Sequence, residues 1–239
     1  MIEAHLLKLR KRDTISSAEE RAIRSVIKEA RRVPARTTLI REGERLEQSL
    51  LLIDGWLGRA VDMKEGGRVI TEIHVAGDFA DLHGFTLKRL DHDVVTLSGS
   101  LIATAPHDSL AKLTEQFPHV ARVYWFSTNV DAAIHRQWTV SLGQRTAISR
   151  AAHLFCELFV RLGVVGKTNG TSCDLPLTQE QLAACLGLTS VHVNRTLQAL
   201  RRRSLIELHN KRLTILDMPG LQKIAEFDPS YLYLEHEPK

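Results

Sequence analysis

Cysteine is scarce in this sequence, and long apolar runs are missing from it. The 239 residues include three cysteines, Cys156, Cys173 and Cys185, with no CxxC pair, so neither a disulfide framework nor a zinc motif is indicated. No apolar run approaches the roughly 20 residues that a membrane span needs. The N-terminus, MIEAHLLKLRKRD, lacks the apolar segment and cleavage site of a secretory signal. We therefore expect a cytoplasmic protein that does not bind a membrane.

Recognisable catalytic motifs are also missing. The sequence contains no glycine-rich phosphate loop, no nucleophile elbow and no His-Glu-x-x-His segment. Its histidines and acids are scattered through predicted loops and follow no metal-ligand spacing. We therefore predict that the protein is not an enzyme, has no catalytic residues, and holds neither a metal nor a cofactor.

Two of the cysteines lie inside helical apolar patterns. Around Cys156 and Cys185 the apolar residues recur at the spacing of one buried helix face. A cysteine on such a face usually acts as a small hydrophobe. A redox role for Cys185 is the alternative, because a thiol becomes reactive when its pKa is lowered.

The segment from Leu177 to Ile206, LTQEQLAACLGLTSVHVNRTLQALRRRSLI, contains two adjoining helical patterns. Thr178 and Gln181 have the spacing of a capping box, and Thr189 offers a second N-cap. Gly187 supplies the residue that can end the first helix in the left-handed region. The short glycine-containing turn between the helices is typical of a helix-turn-helix.

Positive charge is concentrated just after this motif. Between Arg195 and Arg212 there are six basic residues and one acid, Glu207, an excess of five charges in a chain whose net charge is +4. Such a surface is expected of a protein that binds phosphates; a solvated helix face is the alternative. Two short alternating runs separated by His209-Asn210 then predict a β-hairpin. A hairpin directly after a recognition helix forms a wing.

Ahead of the helix-turn-helix the pattern changes twice. A helix is predicted from Ser17 to Ala30, opened by a capping box of Ser17 and Glu20 and ended by Pro34. From Thr38 to about Ala105, short strands separated by turn signals suggest a jelly roll or barrel. Phe117 to Leu142 then predicts a long helix. Val120, Val123, Val130 and Ile134 follow an imperfect heptad track along that helix, which makes a dimer seam one interpretation.

The order of these segments resembles the Crp/Fnr family of bacterial transcription regulators, from about Arg36 to Phe227. The resemblance lies in Arg41-Glu-Gly-Glu, Leu52-Ile-Asp-Gly-Trp-Leu-Gly-Arg, Gly77-Asp-Phe and above all Leu182 to Leu200. It implies an α+β fold with an N-terminal cyclic-nucleotide-binding-like β jelly-roll sensor over residues 1–116, a dimerisation helix over 117–143 and a winged helix-turn-helix over 144–239. It also implies a homodimer that binds a pseudo-palindromic site on double-stranded DNA. RNA polymerase is a further candidate partner.

The resemblance also assigns roles to residues of the second helix. The family's base-reading positions fall on Ser190, Val191, Asn194 and Arg195, where Arg195 can bond guanine and Asn194 adenine. Val191 departs from the glutamate that is common in the family, which favours contact with a thymine methyl. The expected phosphate contacts, with His192 acting there or as a cap, are Thr178, Thr189, His192, Lys211 and Arg212.

The sensor departs from the relatives that bind cyclic AMP. Leu82 stands where those relatives carry a ribose-binding glutamate, and His92-Asp93 stands in place of their Arg-Ser pair. Acids near a phosphate that lacks a fixed guanidinium would repel it, so we expect no tight cyclic-nucleotide binding. The N-terminus also lacks the cysteine cluster of the family's iron–sulfur sensors. If an unknown small effector binds, we expect it at Asp81, Leu82, His83, His92 and Asp93. There are two alternatives: a metal bound among the acids and histidines of residues 81–93, or no effector at all.

The leading hypothesis is thus a sequence-specific transcription regulator. Its rival is a small-molecule receptor whose helix-turn-helix docks a protein partner. The excess of positive charge between Arg195 and Arg212 argues against that rival.

Overall fold

The computed structural model describes residues 1–64 and 66–237 of the chain. Two helices come first, a strand-rich unit follows, and a long helix then leads into a second mixed unit. The helices are α1 (Glu3–Arg12), α2 (Ser17–Val26), α3 (Gly84–Leu87), α4 (His107–Gln116), α5 (Pro118–Gln144), α6 (Ala147–Val164), α7 (Gln179–Leu186), α8 (Ser190–Arg202) and α9 (Met218–Ala225), followed by a 3₁₀ turn at Pro229–Leu232. The strands are β1 (Arg31–Val33), β2 (Thr38–Ile40), β3 (Gln48–Asp54), β4 (Leu57–Asp62), β5 (Arg68–His74), β6 (Asp93–Thr96), β7 (Ser100–Pro106), β8 (Thr168–Asn169), β9 (Ser172–Asp174), β10 (Ile206–His209) and β11 (Arg212–Ile215).

The strand-rich unit consists of two antiparallel sheets with the orders β1-β7-β3 and β2-β6-β4-β5. Consecutive strands often lie in different sheets, as in a jelly roll. Their inward-facing apolar residues, among them Leu51, Leu57 and Ile102, are buried between the sheets and the surrounding helices. The predicted α+β fold with an N-terminal jelly roll is confirmed.

The turn between β3 and β4 requires glycine. Gly55 has a φ of +94°, and a Cβ atom at this position would lie 2.6 Å from the carbonyl oxygen of Gly99. Side chains other than hydrogen rarely tolerate that backbone conformation. The Asp54-Gly55 turn expected from the sequence is therefore fixed both by conformation and by the close approach of residues 99–100.

The N-terminal helices differ from the prediction in two ways. First, the capping box of α2 uses Ser16 and Glu19 rather than Ser17 and Glu20; both pairs fit the same pattern, and Glu19 is the acid that also bonds His119 on α5. Second, α2 ends at Val26, well before Ala30, because the chain turns extended and Lys28 donates its backbone N–H to Thr104 on β7. Helix α1 was not predicted at all.

The long helix α5 spans 27 residues, close to the prediction. Its heptad track is wrong as a dimer seam, however: Val120, Val123, Val130 and Ile134 are at most 3% exposed because they pack against their own chain. A heptad pattern marks a buried face without identifying what covers it. The face of α5 that remains exposed carries Trp125 and Val140, which are 69% and 46% exposed.

The C-terminal unit is built as the sequence predicts. Helices α7 and α8 form the helix-turn-helix, and β10 and β11 form the wing within a four-stranded sheet of order β10-β11-β9-β8. Behind them, α6 packs against both α8 and α9. The winged helix-turn-helix is confirmed.

One apolar core joins the sensor to the C-terminal unit. It contains Ile73 and Leu97 from the jelly roll together with Leu182 of α7 and Phe155 of α6. The side-chain amide of Gln181 also donates a hydrogen bond to the Leu97 carbonyl at 2.9 Å. The helix-turn-helix is therefore seated directly on the jelly-roll sheet.

Candidate nucleic-acid interface and sensor cavity

The turn of the helix-turn-helix is fixed by local bonds. Gly187 ends α7 in the left-handed region with a φ of +59°, and Leu188 donates its backbone N–H to Ala183 at 3.1 Å. Thr178 and Gln181 form the predicted capping box at the start of α7. At the start of α8, the Thr189 hydroxyl accepts from the backbone N–H of His192 at 3.2 Å.

The orientation of α8 is set by its buried face. Val193, Leu197 and Leu200 are at most 3% exposed, and they lie at the four- and three-residue spacing of one helical face. The opposite face must then point to solvent. It carries the predicted DNA-contacting residues, all of which are exposed: Ser190, Val191, His192, Asn194 and Arg195.

The polar side chains on this face are not used to hold the fold. Within the part of the chain that the structure describes, no hydrogen bond or ion pair engages the side chains of Asn194 or Arg195, although both can donate several. Val191 is 65% exposed at the first turn of α8, so most of its isopropyl group faces solvent. The face is therefore free to contact another molecule.

The two predicted threonines are in a different situation. The hydroxyls of Thr178 and Thr189 both accept backbone N–H groups as helix caps. Thr178 is half-buried, whereas Thr189 is exposed. Their role as caps orients two helix N-termini, where backbone N–H groups and the helix dipole favour an anion.

The wing turns one residue later than predicted. Asn210 and Lys211 have φ angles of +48° and +60°, the conformation of a two-residue hairpin turn of type I′. Lys211 is exposed at the tip, and the Arg212 guanidinium lies 3.4 Å from the carboxylate of Asp174. At the end of α8, Arg201 donates to the Leu208 carbonyl at 2.6 Å, which ties that helix to the wing.

A cavity of about 430 Å³ lies between the jelly roll and α5, within the size range of small-molecule sites. Its polar lining comes from Arg59, Thr71, His83, Asp91, His92, Thr128, Asp131 and His135. Of the predicted effector residues, the structure brings His83 and His92 together here, with ring centroids 5.6 Å apart.

The other predicted effector residues do not line this cavity. Asp81 is buried and accepts the Leu50 backbone N–H at 2.6 Å, and Leu82 packs in the apolar cluster under α1. Asp93 accepts the Glu42 backbone N–H at 2.8 Å. These three side chains therefore stabilise the loops around the cavity.

The sequence interpretation missed Arg59, the residue at the centre of the cavity wall. Its guanidinium is buried and donates to Glu72 at 2.6 Å and to Asp131 of α5 at 3.0 Å, while the His135 imidazole lies 2.7 Å from Glu72. The sequence signal was a charged residue inside a short apolar run, at the end of the motif Leu52-Ile-Asp-Gly-Trp-Leu-Gly-Arg. That signal does not reveal which face of the sheet the residue occupies.

Burial and the guanidinium set the ionisation of this cluster. Burial alone would raise the pKa of Glu72, but the charge of Arg59, together with the neighbouring His74 and His135, holds the pKa of that carboxyl well below its usual range. Burial, and then the neighbouring Glu72 charge, raise the pKa of Asp131 to about 7. Burial and Arg59 lower the pKa of His83 to about 3. At neutral pH the Arg59 charge is therefore paired with an ionised Glu72, Asp131 is close to half-ionised, and the imidazole of His83 is neutral.

The Cys185 thiol does not add to this chemistry. Burial raises the pKa of the Cys185 thiol far above its ordinary value, which keeps it protonated and unreactive. Across residues 1–64 and 66–237, His, Cys, Asp and Glu side chains form no group of three that could hold a metal ion. In the same residues, every helix is too short or too polar to span a bilayer.

Two family profiles match the chain. The profile described as a cyclic nucleotide-binding domain matches residues 30–117, and that of a Crp-like helix-turn-helix domain matches residues 149–224. A nucleotide-binding-like sensor ahead of such a reader defines a class of DNA-binding regulators. The chain belongs to the Crp/Fnr family of transcription regulators.

Individual relatives agree with this assignment. The chain is 28% identical to the transcriptional activator protein FnrL of Cereibacter sphaeroides over 202 residues, 83% of this chain and 81% of that protein. It is 23% identical to the transcriptional activator protein FnrA of Stutzerimonas stutzeri, over 85% of this chain and 83% of that protein. The fold matches FixK2 from Bradyrhizobium japonicum with a TM-score of 0.72 at 19% identity, over 82% of this chain and 96% of that one.

A buried histidine beside Glu72 and Arg59 predicts that the stability of the fold is sensitive to acid. His74 on β5 is fully buried, and neither ring nitrogen has a partner among the described residues; burial lowers its pKa to about 3. In the unfolded chain His74 binds a proton near pH 6.5, whereas in the folded chain it stays neutral down to about pH 3. The folded state therefore loses stability relative to the unfolded state as the pH falls from 6.5 towards 3.

We expect His74→Leu to reduce the loss of stability between pH 7 and pH 5 by about 2 kcal/mol, measured by urea unfolding at the two pH values. The matched control is His209→Leu, which removes an exposed histidine of the wing. Equal acid sensitivity of His74→Leu and the unchanged protein would contradict this assignment.

Proposed function

We propose that this regulator binds a pseudo-palindromic DNA site as a homodimer and reads bases with Ser190, Val191, Asn194 and Arg195. The observation that carries the proposal is the solvent face of α8, where Asn194 and Arg195 are exposed and uncommitted. Arginine and asparagine bond guanine and adenine edges with two hydrogen bonds each. A surface that docked a protein would favour an apolar centre, and this face has only Val191.

Phosphate contacts would come from the residues around that face. The exposed Lys211 and Arg212 of the wing and the capped N-terminus of α8 at Thr189 and His192 present donors to solvent. Thr178 presents the N-terminus of α7 in the same way. Such contacts fix the register of the protein on DNA without selecting a sequence.

Val191 gives this reader a preference of its own. Its exposed isopropyl group cannot accept a hydrogen bond from cytosine, whereas it can pack against the methyl group of thymine. We therefore propose a half-site that differs from that of relatives with glutamate at this position.

The exposed face of α5 supports the homodimer. Trp125 and Val140 leave apolar surface uncovered along the helix, on the side opposite the buried heptad track. We propose this face as the seam, with residues 1–116 as the sensor, 117–143 as the dimerisation helix and 144–239 as the reader. An interaction with RNA polymerase and a cytoplasmic location remain predictions.

The sensor is proposed not to respond to cyclic AMP. The guanidinium nearest to the cavity, that of Arg59, is already neutralised by Glu72 and further bonded to Asp131. A cyclic phosphate would have to displace a buried carboxylate to reach it, and breaking such a pair is unfavourable. Any effector of this cavity would instead meet the imidazoles of His83 and His92.

The first test of the reader is Arg195→Ala. We expect a loss of about 1–3 kcal/mol in binding to the preferred duplex, together with relaxed selection at one base pair, because one bidentate guanine contact is lost. Fluorescence anisotropy on duplexes that differ at single positions measures both effects. Arg203→Ala is the control: it lies at the exposed end of α8 within the basic segment between Arg195 and Arg212, so its loss should weaken binding equally on every duplex. Equal weakening on every duplex would identify Arg195 as a phosphate contact and contradict the proposal.

The sensor is tested by titration calorimetry with cyclic AMP. Because Arg59 is held by buried carboxylates, we expect no binding at micromolar ligand concentrations. A dissociation constant in the micromolar range or tighter would overturn this part of the proposal.

A further inference from the structure

Helix α1 lies where the sensor, the long helix and the reader meet. The His5 imidazole donates to the Gly77 carbonyl of the sensor at 2.9 Å and lies 3.4 Å from the Tyr124 hydroxyl of α5. One turn later, the Lys8 ammonium donates to the Asp78 carboxylate. Both α1 side chains are buried.

Asp78 connects this contact to the reader. Its other carboxylate oxygen lies 3.1 Å from the Arg161 guanidinium of α6, which also donates to the Ile73 carbonyl at 2.7 Å and pairs with Glu157 at 3.0 Å. A chain of buried charge thus runs from α1 through the sensor loop to the helix that supports α8.

The end of α1 holds the C-terminal segment of the reader. The Arg12 guanidinium donates to the Leu232 carbonyl at 3.0 Å, and the Arg12 carbonyl accepts the Glu237 backbone N–H at 3.0 Å. Tyr231, one residue before Leu232, donates its hydroxyl to Glu157 at 2.9 Å. Helix α1 therefore contacts the reader at two separate places.

We infer that α1 is a brace that fixes the orientation of the reader on the sensor, with Lys8 as its central positioning residue. This goes beyond the proposed DNA reading. Its use in a dimer rests on that proposed function: two readers can bind half-sites at a set spacing only if each reader keeps a fixed orientation. The orientation itself does not depend on DNA.

Lys8 is not needed to neutralise Asp78. That carboxylate also pairs with Arg161 and accepts the Val75 backbone N–H at 2.9 Å, so removal of Lys8 leaves no isolated buried charge. Burying an ammonium is itself unfavourable, and burial lowers the pKa of Lys8 to about 8. What Lys8 adds is a bond between α1 and the pair that joins sensor and reader.

The test measures the distance between sensor and reader in the full chain by double electron–electron resonance. The three native cysteines are buried, so spin labels attach to cysteines introduced at the exposed Glu115 of α4 and Lys223 of α9. Mixing with excess unlabelled chain leaves most of the labelled dimers with only one labelled copy. We expect one narrow distance distribution in the parent protein and a distribution broadened several-fold in Lys8→Met.

Two control variants sharpen the result. Lys11→Met, on the exposed side of the same helix, should keep the narrow distribution, and Lys8→Arg should restore it, because the charged contact is kept. A narrow distribution in folded Lys8→Met would overturn the inference. If circular dichroism shows Lys8→Met unfolded, Arg12→Met, which removes the guanidinium contact of α1 with Leu232, decides in its place: broadening supports the brace, and an unchanged distribution overturns it. Neither outcome depends on whether the protein binds DNA as proposed.

Discussion

The arrangement of the whole chain depends on one buried guanidinium, that of Arg161. A buried charge is tolerated only when it is paired and fully hydrogen-bonded, and Arg161 finds its acceptors in Ile73, Asp78 and Glu157. Two of these belong to the sensor and one to α6. Docking of the reader on the jelly roll therefore replaces water around this arginine with fixed acceptors, and the apolar core that contains Leu97 and Leu182 joins the same two units.

A second buried arginine, Arg59, has the corresponding role between the sensor and the long helix. Arg59 ties β5, through Glu72, to α5, through Asp131, next to the cavity that holds His83 and His92. The two clusters lie on neighbouring parts of the jelly roll, and His74 is buried close to both. The sensor is thus connected by charge to the long helix and to the reader, while the outer face of α8 stays free of such contacts. In this division, the buried ion pairs fix the positions of the sensor, the long helix and the reader, while the exposed face of α8 is left to bind another molecule.

Local patterns predicted most of the reader and part of the sensor. The capping box of Thr178 and Gln181, the end of α7 at Gly187 and the wing all depend on residues a few positions apart. The same logic placed the cap of α2 one residue late, because two serines and two glutamates in tandem fit equally well. It also predicted that the heptad track of α5 packs against a second chain, whereas the track packs against other parts of its own chain. The pairs Arg59–Asp131 and Asp78–Arg161 are 72 and 83 residues apart, and a single sequence carries no signal that joins them.

The most direct test of the central claim is to select duplexes from a randomised pool with the purified protein at two salt concentrations, without added ligand, and to sequence the bound fraction. Specific readers keep a sequence preference as salt rises, whereas phosphate binding alone weakens steeply. The account predicts a two-fold symmetric consensus whose half-sites contain a guanine for Arg195 and a thymine for Val191. Recovery of only salt-sensitive, sequence-independent DNA would contradict it.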